Sequence, residues 1–263
     1  TGSFSYRSSD VRKIAVSYVS GDLRVVQSDS RTLNATESGK NISEDQAMRW
    51  YIDGDTLRIQ FCKSGYSGNM PSKTLDLEIP YGVELEIGMT SGDVTFVTDV
   101  TAGDVNLGST SGGKHIKTLV CADFKEGSTS GSTSIDFLHA VEAEFGSSSG
   151  NTSIGTLETD DAEFAATSGN LEISSVRCAK VDIGATSGNI TLGFDKCDKL
   201  KIGCTSGDVT LTRLPSGGAS IEFDKTSGNL RADGYMVKGG RMVYGDGACR
   251  MDINTTSGDL TIK

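Results

Sequence analysis

Proline is nearly missing from this chain, at three residues in 263, as are tryptophan, at one, and histidine, at two. So little proline suits a fold of many hydrogen-bonded strands, since each proline removes a backbone donor. His115 and His139 have no acid or cysteine at a metal-ligand spacing, so both are expected to be solvated side chains. Six cysteines are present without a Cys-x-x-Cys pair. Basic residues are also short, 25 Lys and Arg against 35 Asp and Glu, a formal charge of -10. Nothing supplies a basic stripe for phosphates, which argues against nucleic acid as a partner. No apolar run approaches the roughly 18 residues that cross a bilayer as a helix. No secretory leader opens the sequence; starting at Thr1, it is expected to be an ectodomain, tethered to a membrane through a segment outside this sequence.

What is abundant is glycine, at 33 residues, and it is periodic. In Leu200 to Leu214 apolar residues alternate through Leu200, Ile202 and Cys204, a Thr-Ser-Gly-Asp corner follows, and alternation resumes at Val209 and Leu211. The unit recurs at Gly92, Gly112, Gly131, Gly150, Gly169, Gly188, Gly207, Gly228 and Gly258, in steps of 20, 19, 19, 19, 19, 19, 21 and 30 residues. Such a period marks a repeat protein. Counted from each corner glycine, positions -7, -5 and -3 are mostly apolar or small, as are +2, +4 and +7. Alternation with period two predicts an all-β, single-stranded parallel β-solenoid, expected right-handed, of rungs about 19 residues long.

The period predicts one solenoid domain over 11–263 after a disordered tail at 1–10. Ile14 to Val25, with its corner at Gly21, reads as a first rung. Residues 27–80 break the pattern with hairpin and loop signals and read as a β-rich cap over the exposed end strands. A hairpin with a Gly239-Gly240 tip is expected at 234–246, and the final rung is expected to end in a free edge unless that hairpin covers it.

The candidate chemistry is sparse. Corner residues such as Asp93, Asn151, Asn170, Asn189, Asp208 and Asp259 suit backbone capping, and the nine-residue calcium consensus of other β-rolls is missing. The serine before each corner glycine should turn inward and bond to backbone; a hydroxyl repeated nine times without a histidine is no nucleophile. Positions -8 and -6 face outward, and in register they place Glu142, Glu144, Asp161 and Glu163 together without an interleaved cation. This acidic face is the candidate binding surface, with no metal or cofactor assigned; a solvated face that deters edge-to-edge pairing is the plainer account. Cys178 and Cys197 fall on neighbouring rungs, while Cys62 and Cys249 lack an obvious mate. Outward threonines at -2 are accompanied mostly by glycine at -4, not the double threonine column of an ice-binding face.

Val19-Ser20-Gly21-Asp22-Leu23, the phrase from Leu75 to Leu85 leading into Thr90-Ser91-Gly92-Asp93-Val94, and the ending from Gly245 to Ile262 resemble the bacterial putative-adhesin domain family. The resemblance implies a short-rung β-solenoid of the cell envelope and brings no agreed catalytic residues. The reading that follows is a non-catalytic, extracellular or envelope scaffold that presents an extended face to a protein or cell-wall polymer. Two alternatives stand beside it: a polysaccharide lyase or hydrolase on a parallel β-helix, with Asp53 and Asp55 of the insertion as the place for a cleft, and an extracytoplasmic sensor module of an envelope-stress protein.

Overall fold

A computed structural model describes residues 2–232, 235, 237–238 and 241–263. The chain is all-β and forms two compact units, 1–135 and 136–263. In both, strands stack in parallel with their corners aligned, the solenoid that the glycine period predicts.

In the first unit one ladder runs Thr56–Gln60, Lys13–Tyr18, Glu84–Met89, Val105–Ser109 and Asp123–Ser130. A second, after the corner, runs Lys73–Ile79, Asp22–Gln27, Val94–Thr101 and Lys114–Val120. Apolar residues at alternate positions line the space between them: Ile14, Val16, Leu85, Ile87, Leu23 and Val25 are all buried. Residues 27–80 do more than cap this end, because two of their strands add an outer rung to both ladders. Within 1–10, expected to be a disordered tail, residues 3–7 form a strand. Ser3–Arg7 pairs antiparallel with Thr32–Gly39, anchored where Phe4 stacks on Trp50 with ring centroids 4.4 Å apart.

In the second unit Glu142–Ser149, Thr152–Ser168, Leu171–Ser187 and Ile190–Ser206 follow one another in register. Phe145 and Phe164 stack inside at 4.6 Å and 7°, an aromatic pair worth about 0.5–1.5 kcal/mol beyond its buried area. Beyond Ile190–Ser206 the spatial order departs from the chain order. Its next neighbour is Cys249–Ser257, and Gly218–Ser227 lies outside that. Likewise Leu260–Ile262 sits between Val209–Arg213 and Leu230–Ala232. The rung at 249–262 therefore has no free edge, contrary to the expectation from sequence. Arg241–Gly245 folds back antiparallel on Gly218–Ser227 and on Val237–Lys238. The hairpin expected at 234–246 lies partly outside the described residues, its Gly239-Gly240 tip included. In the first unit the rung at 13–27 is likewise flanked on both sides.

The corner glycines are required by the stacking. Gly188 has φ +119°, and a Cβ there would lie 1.9 Å from the carbonyl oxygen of Gly169. Gly258 would meet the oxygen of Gly207 at 2.1 Å, and Gly228 that of Gly258 at 2.0 Å. Each corner thus rests directly on the next, in the order 207, 258, 228.

Candidate functional site

The corner side chains are consumed by the ladder. Asn189 N–H donates to Asn170 Oδ1 at 2.9 Å, Asp208 N–H to Asn189 Oδ1 at 3.0 Å, Asp259 N–H to Asp208 Oδ1 at 2.9 Å, and Asn229 N–H to Asp259 Oδ1 at 2.8 Å. A side-chain oxygen satisfies the amide that the bend exposes, which is why this position takes Asn or Asp. The preceding serines differ from expectation. They stay half-buried or exposed instead of turning inward, and their hydroxyls point along the stack, Ser111 Oγ donating to Thr90 O at 3.2 Å and Ser187 Oγ to Thr167 O at 3.3 Å.

The outward columns carry the charge. Glu142 is in register with Asp161, and Asp161 with Lys180; Glu144 is in register with Glu163, and Glu163 with Asp182. Lys180 Nζ reaches Asp161 Oδ2 at 2.8 Å and Oδ1 at 3.1 Å, so Asp161 has the nearby cation that its own rung lacks. That bond, with the fields of Asp161, Asp182 and Glu163, raises the Lys180 ammonium above its usual range. One more rung places Lys199 beside Lys180 and Lys201 beside Asp182. The face is therefore graded, acidic at 142–163 and basic at 199–201. Among the described residues no group of three or more His, Cys, Asp or Glu is arranged to hold a metal ion.

A second outward column carries ion pairs between rungs. Arg177 Nη1 bonds Glu158 Oε1 at 2.6 Å and its Nε bonds Asp195 Oδ2 at 3.2 Å, while Arg213 Nη2 holds Asp195 Oδ1 at 2.6 Å. The Ser175 hydroxyl bond, then Arg177 and Arg213, keep the Asp195 carboxyl below its ordinary range. His139 Nδ1 lies 3.6 Å from Glu158. His139, Glu158 and Arg177 all stand eight residues past a corner glycine, a column visible in the sequence once that offset is read.

Sequence reading also missed two buried ion pairs, both in the first unit. Lys114 Nζ lies 2.7 Å from Glu126 Oε1 and donates to Ser109 Oγ at 2.6 Å, with both charged side chains almost wholly buried. Their signal was a charge at positions +2 and -5, where the alternation calls for apolar residues. Lys73 Nζ lies 2.5 Å from Glu37 Oε1 and donates to the carbonyls of Gln46 and Phe61. Tyr18 Oη and the Met48 amide donate to the same carboxylate. Burial first, then Glu37, raises the Tyr18 hydroxyl pKa; burial lowers that of Lys73 although Glu37 opposes it. Sealed from solvent, the two charges of each pair neutralise one another and offer nothing to a substrate.

Cys178 and Cys197 are in register, and the Cys249 thiol adjoins Cys197, so Cys249 has a neighbour that its place in the sequence hides. All six cysteines are free thiols. Asp53 and Asp55 lie on an exposed hairpin, where Asp53 Oδ2 accepts from Arg58 Nε at 3.0 Å.

Stacked short rungs with Gly-Asx corners define a class of repeat scaffold in which the recurring polar corner positions serve the backbone. Within that class the chain belongs to the Toastrack DUF4097 family, whose pattern it matches over residues 11–263. Solved structures share the fold. A "putative adhesin" from Bacteroides fragilis NCTC 9343 is 14% identical with a TM-score of 0.53, covering 99% of this chain and 96% of its own. A "putative adhesin" from Parabacteroides merdae ATCC 43184 is 12% identical with a TM-score of 0.55, covering 98% and 95%. A "putative lipid binding protein" from Parabacteroides distasonis ATCC 8503 is 16% identical with a TM-score of 0.54, covering 98% and 96%. No curated protein matches the chain.

Proposed function

We propose that this protein is a non-catalytic scaffold of the bacterial surface or envelope, and that it offers the acidic columns at Glu142, Glu144, Asp161 and Glu163 to a cationic protein or cell-wall polymer. The observation that carries the reading is the register of Glu142 and Glu144 with Asp161 and Glu163 on bonded strands. Carboxylates side by side on a ladder cost a fraction of a kcal/mol per pair. A ligand bearing amines or guanidinium groups at the spacing of the strands, about 4.8 Å, would complement these columns on binding. The two adhesin-named structures agree with a surface role, and the consumed corner residues agree with a scaffold.

The test is a binding array of cell-wall polymers and envelope proteins, probed with the natural chain and with Glu142→Gln/Glu144→Gln/Glu163→Gln. The expected result is retention of a cationic partner by the natural chain, falling about tenfold or more in the variant and with added salt. Partners held equally by both proteins would refute the acidic face as the recognition surface.

A further inference from the structure

In the first unit three connections leave the ladders on the same side: the 3-10 turn Ser8–Asp10 running into Arg12, the turn at 28–31, and the turn at 80–83. Together they line a cleft of about 720 Å³. Volumes of about 300–1,000 Å³ are usual for small-molecule sites. Its lining includes three buried apolar residues, Val11, Pro80 and Val83.

The polar rim is held in place before any ligand arrives. Tyr81 is 59% exposed, and its hydroxyl donates to Asp29 Oδ1 at 3.1 Å, tying two of the turns together. The turn at 28–31 is braced by Ser28 N–H on Ile79 O at 2.8 Å and by Ser30 N–H on Ser28 Oγ at 3.2 Å. Arg12 is fixed through its backbone, its N–H donating to Asp55 O at 2.9 Å and its carbonyl accepting from Glu84 N–H at 2.8 Å. Its guanidinium, by contrast, has no ion-pair or hydrogen-bond partner among the described residues. Charged side chains elsewhere on this surface are commonly paired, as Lys13 is with Glu86 and Arg24 with Asp76.

We infer that this cleft binds a saccharide and prefers a sugar that carries a carboxylate. A guanidinium fork matches a carboxylate with two parallel hydrogen bonds. Asp29 and Glu84 are acceptors only and suit sugar hydroxyls. The exposed Tyr81 ring offers an apolar surface to the C–H face of a pyranose. The inference rests on the surface-scaffold reading only for the source of the sugar, and it uses none of the residues of the acidic face.

The experiment is calorimetric titration of the whole chain with trigalacturonic acid, with its carboxyl-reduced neutral counterpart, and with inorganic phosphate. The expected result is saturable binding of the acidic trisaccharide, about tenfold weaker binding of the neutral one, and no effective competition by phosphate. Arg12→Ala and Tyr81→Ala should each weaken the acidic trisaccharide about tenfold or more, with unchanged thermal unfolding. No saturable binding of either sugar, or binding unchanged in both variants, overturns the assignment. Equal competition by phosphate would reduce the cleft to an anion site and overturn it as well. Glu142→Gln/Glu144→Gln/Glu163→Gln should leave sugar binding intact, so failure of the acidic face and failure of the cleft are read separately.

Discussion

A methyl group at Gly188 would lie 1.9 Å from the Gly169 carbonyl oxygen, on a backbone at φ +119°; one at Gly184 would meet nothing within 4 Å. Both glycines repeat along the chain, yet only the first is demanded by the fold. Gly188→Ala should cost about 2–4 kcal/mol in denaturant unfolding, through strain and the displaced neighbouring corner. Gly184→Ala should change stability by no more than about 1 kcal/mol, in the stabilising direction. Equal losses for the two would contradict the stacked-corner geometry. A different residue-scale test concerns Lys114. Lys114→Met leaves Glu126 buried without its cation and should cost about 3–5 kcal/mol, whereas Lys114→Met combined with Glu126→Leu should recover most of that loss. A double variant as unstable as the single one would show that the pair does more than neutralise itself.

Among the elements, the strand Cys249–Ser257 is the instructive case. It bonds to Ile190–Ser206 on one side and to Gly218–Ser227 on the other. Its amides at 250–257 should therefore exchange with deuterium as slowly as those at 199–206, and deletion of 249–263 should destabilise the second unit by several kcal/mol. Fast exchange at 250–257 would mean that the strand lies at an edge after all. Corners and inward positions could be read from sequence because they are local, set by period-two alternation around each glycine. The order of the rungs could not. The corners at Gly207, Gly228 and Gly258 all read Ser-Gly-Asx beside a similar apolar stripe, so the motif at Gly207 fits the one at Gly258 as well as the one at Gly228. The only hint was the 30-residue step before Gly258, which holds the reversing hairpin. The cleft at Arg12 was hidden for a related reason, since its walls come from segments near 10, 30 and 81 that no periodicity connects.

At the scale of the whole molecule, buried thiols couple stability to alkaline pH. Burial, with nearby acids, pushes Cys121 up to about 12, and burial followed by the proximity of Cys197 does the same for Cys178, from an ordinary 9.0. Between pH 9 and 12 the unfolded thiols lose protons that the folded ones keep, so the unfolded state is favoured as pH rises. The stability supplied is intact below about pH 9 and falls by about 1.4 kcal/mol per pH unit per thiol above it. Cys121→Ala with Cys178→Ala should flatten the alkaline limb of a Tm-against-pH curve, and an unaltered limb would count against thiol burial as its cause. Function was the least legible part at this scale. The acid column at Glu142 to Glu163 could be seen in the sequence, and so could Lys180 farther along the same column, but neither says what the face would bind.

The placement of the rung at 249–262 also has a consequence for biosynthesis. Residues 218–232 leave the ribosome first, yet their final neighbour across the ladder is made later. A chain folding strictly as it emerges would dock 218–232 onto 190–213 and close the slot that 249–262 must occupy. Maturation of this region therefore has to wait for translation to pass residue 262, or else undo a premature pairing, so the second unit cannot grow one coil at a time to its end.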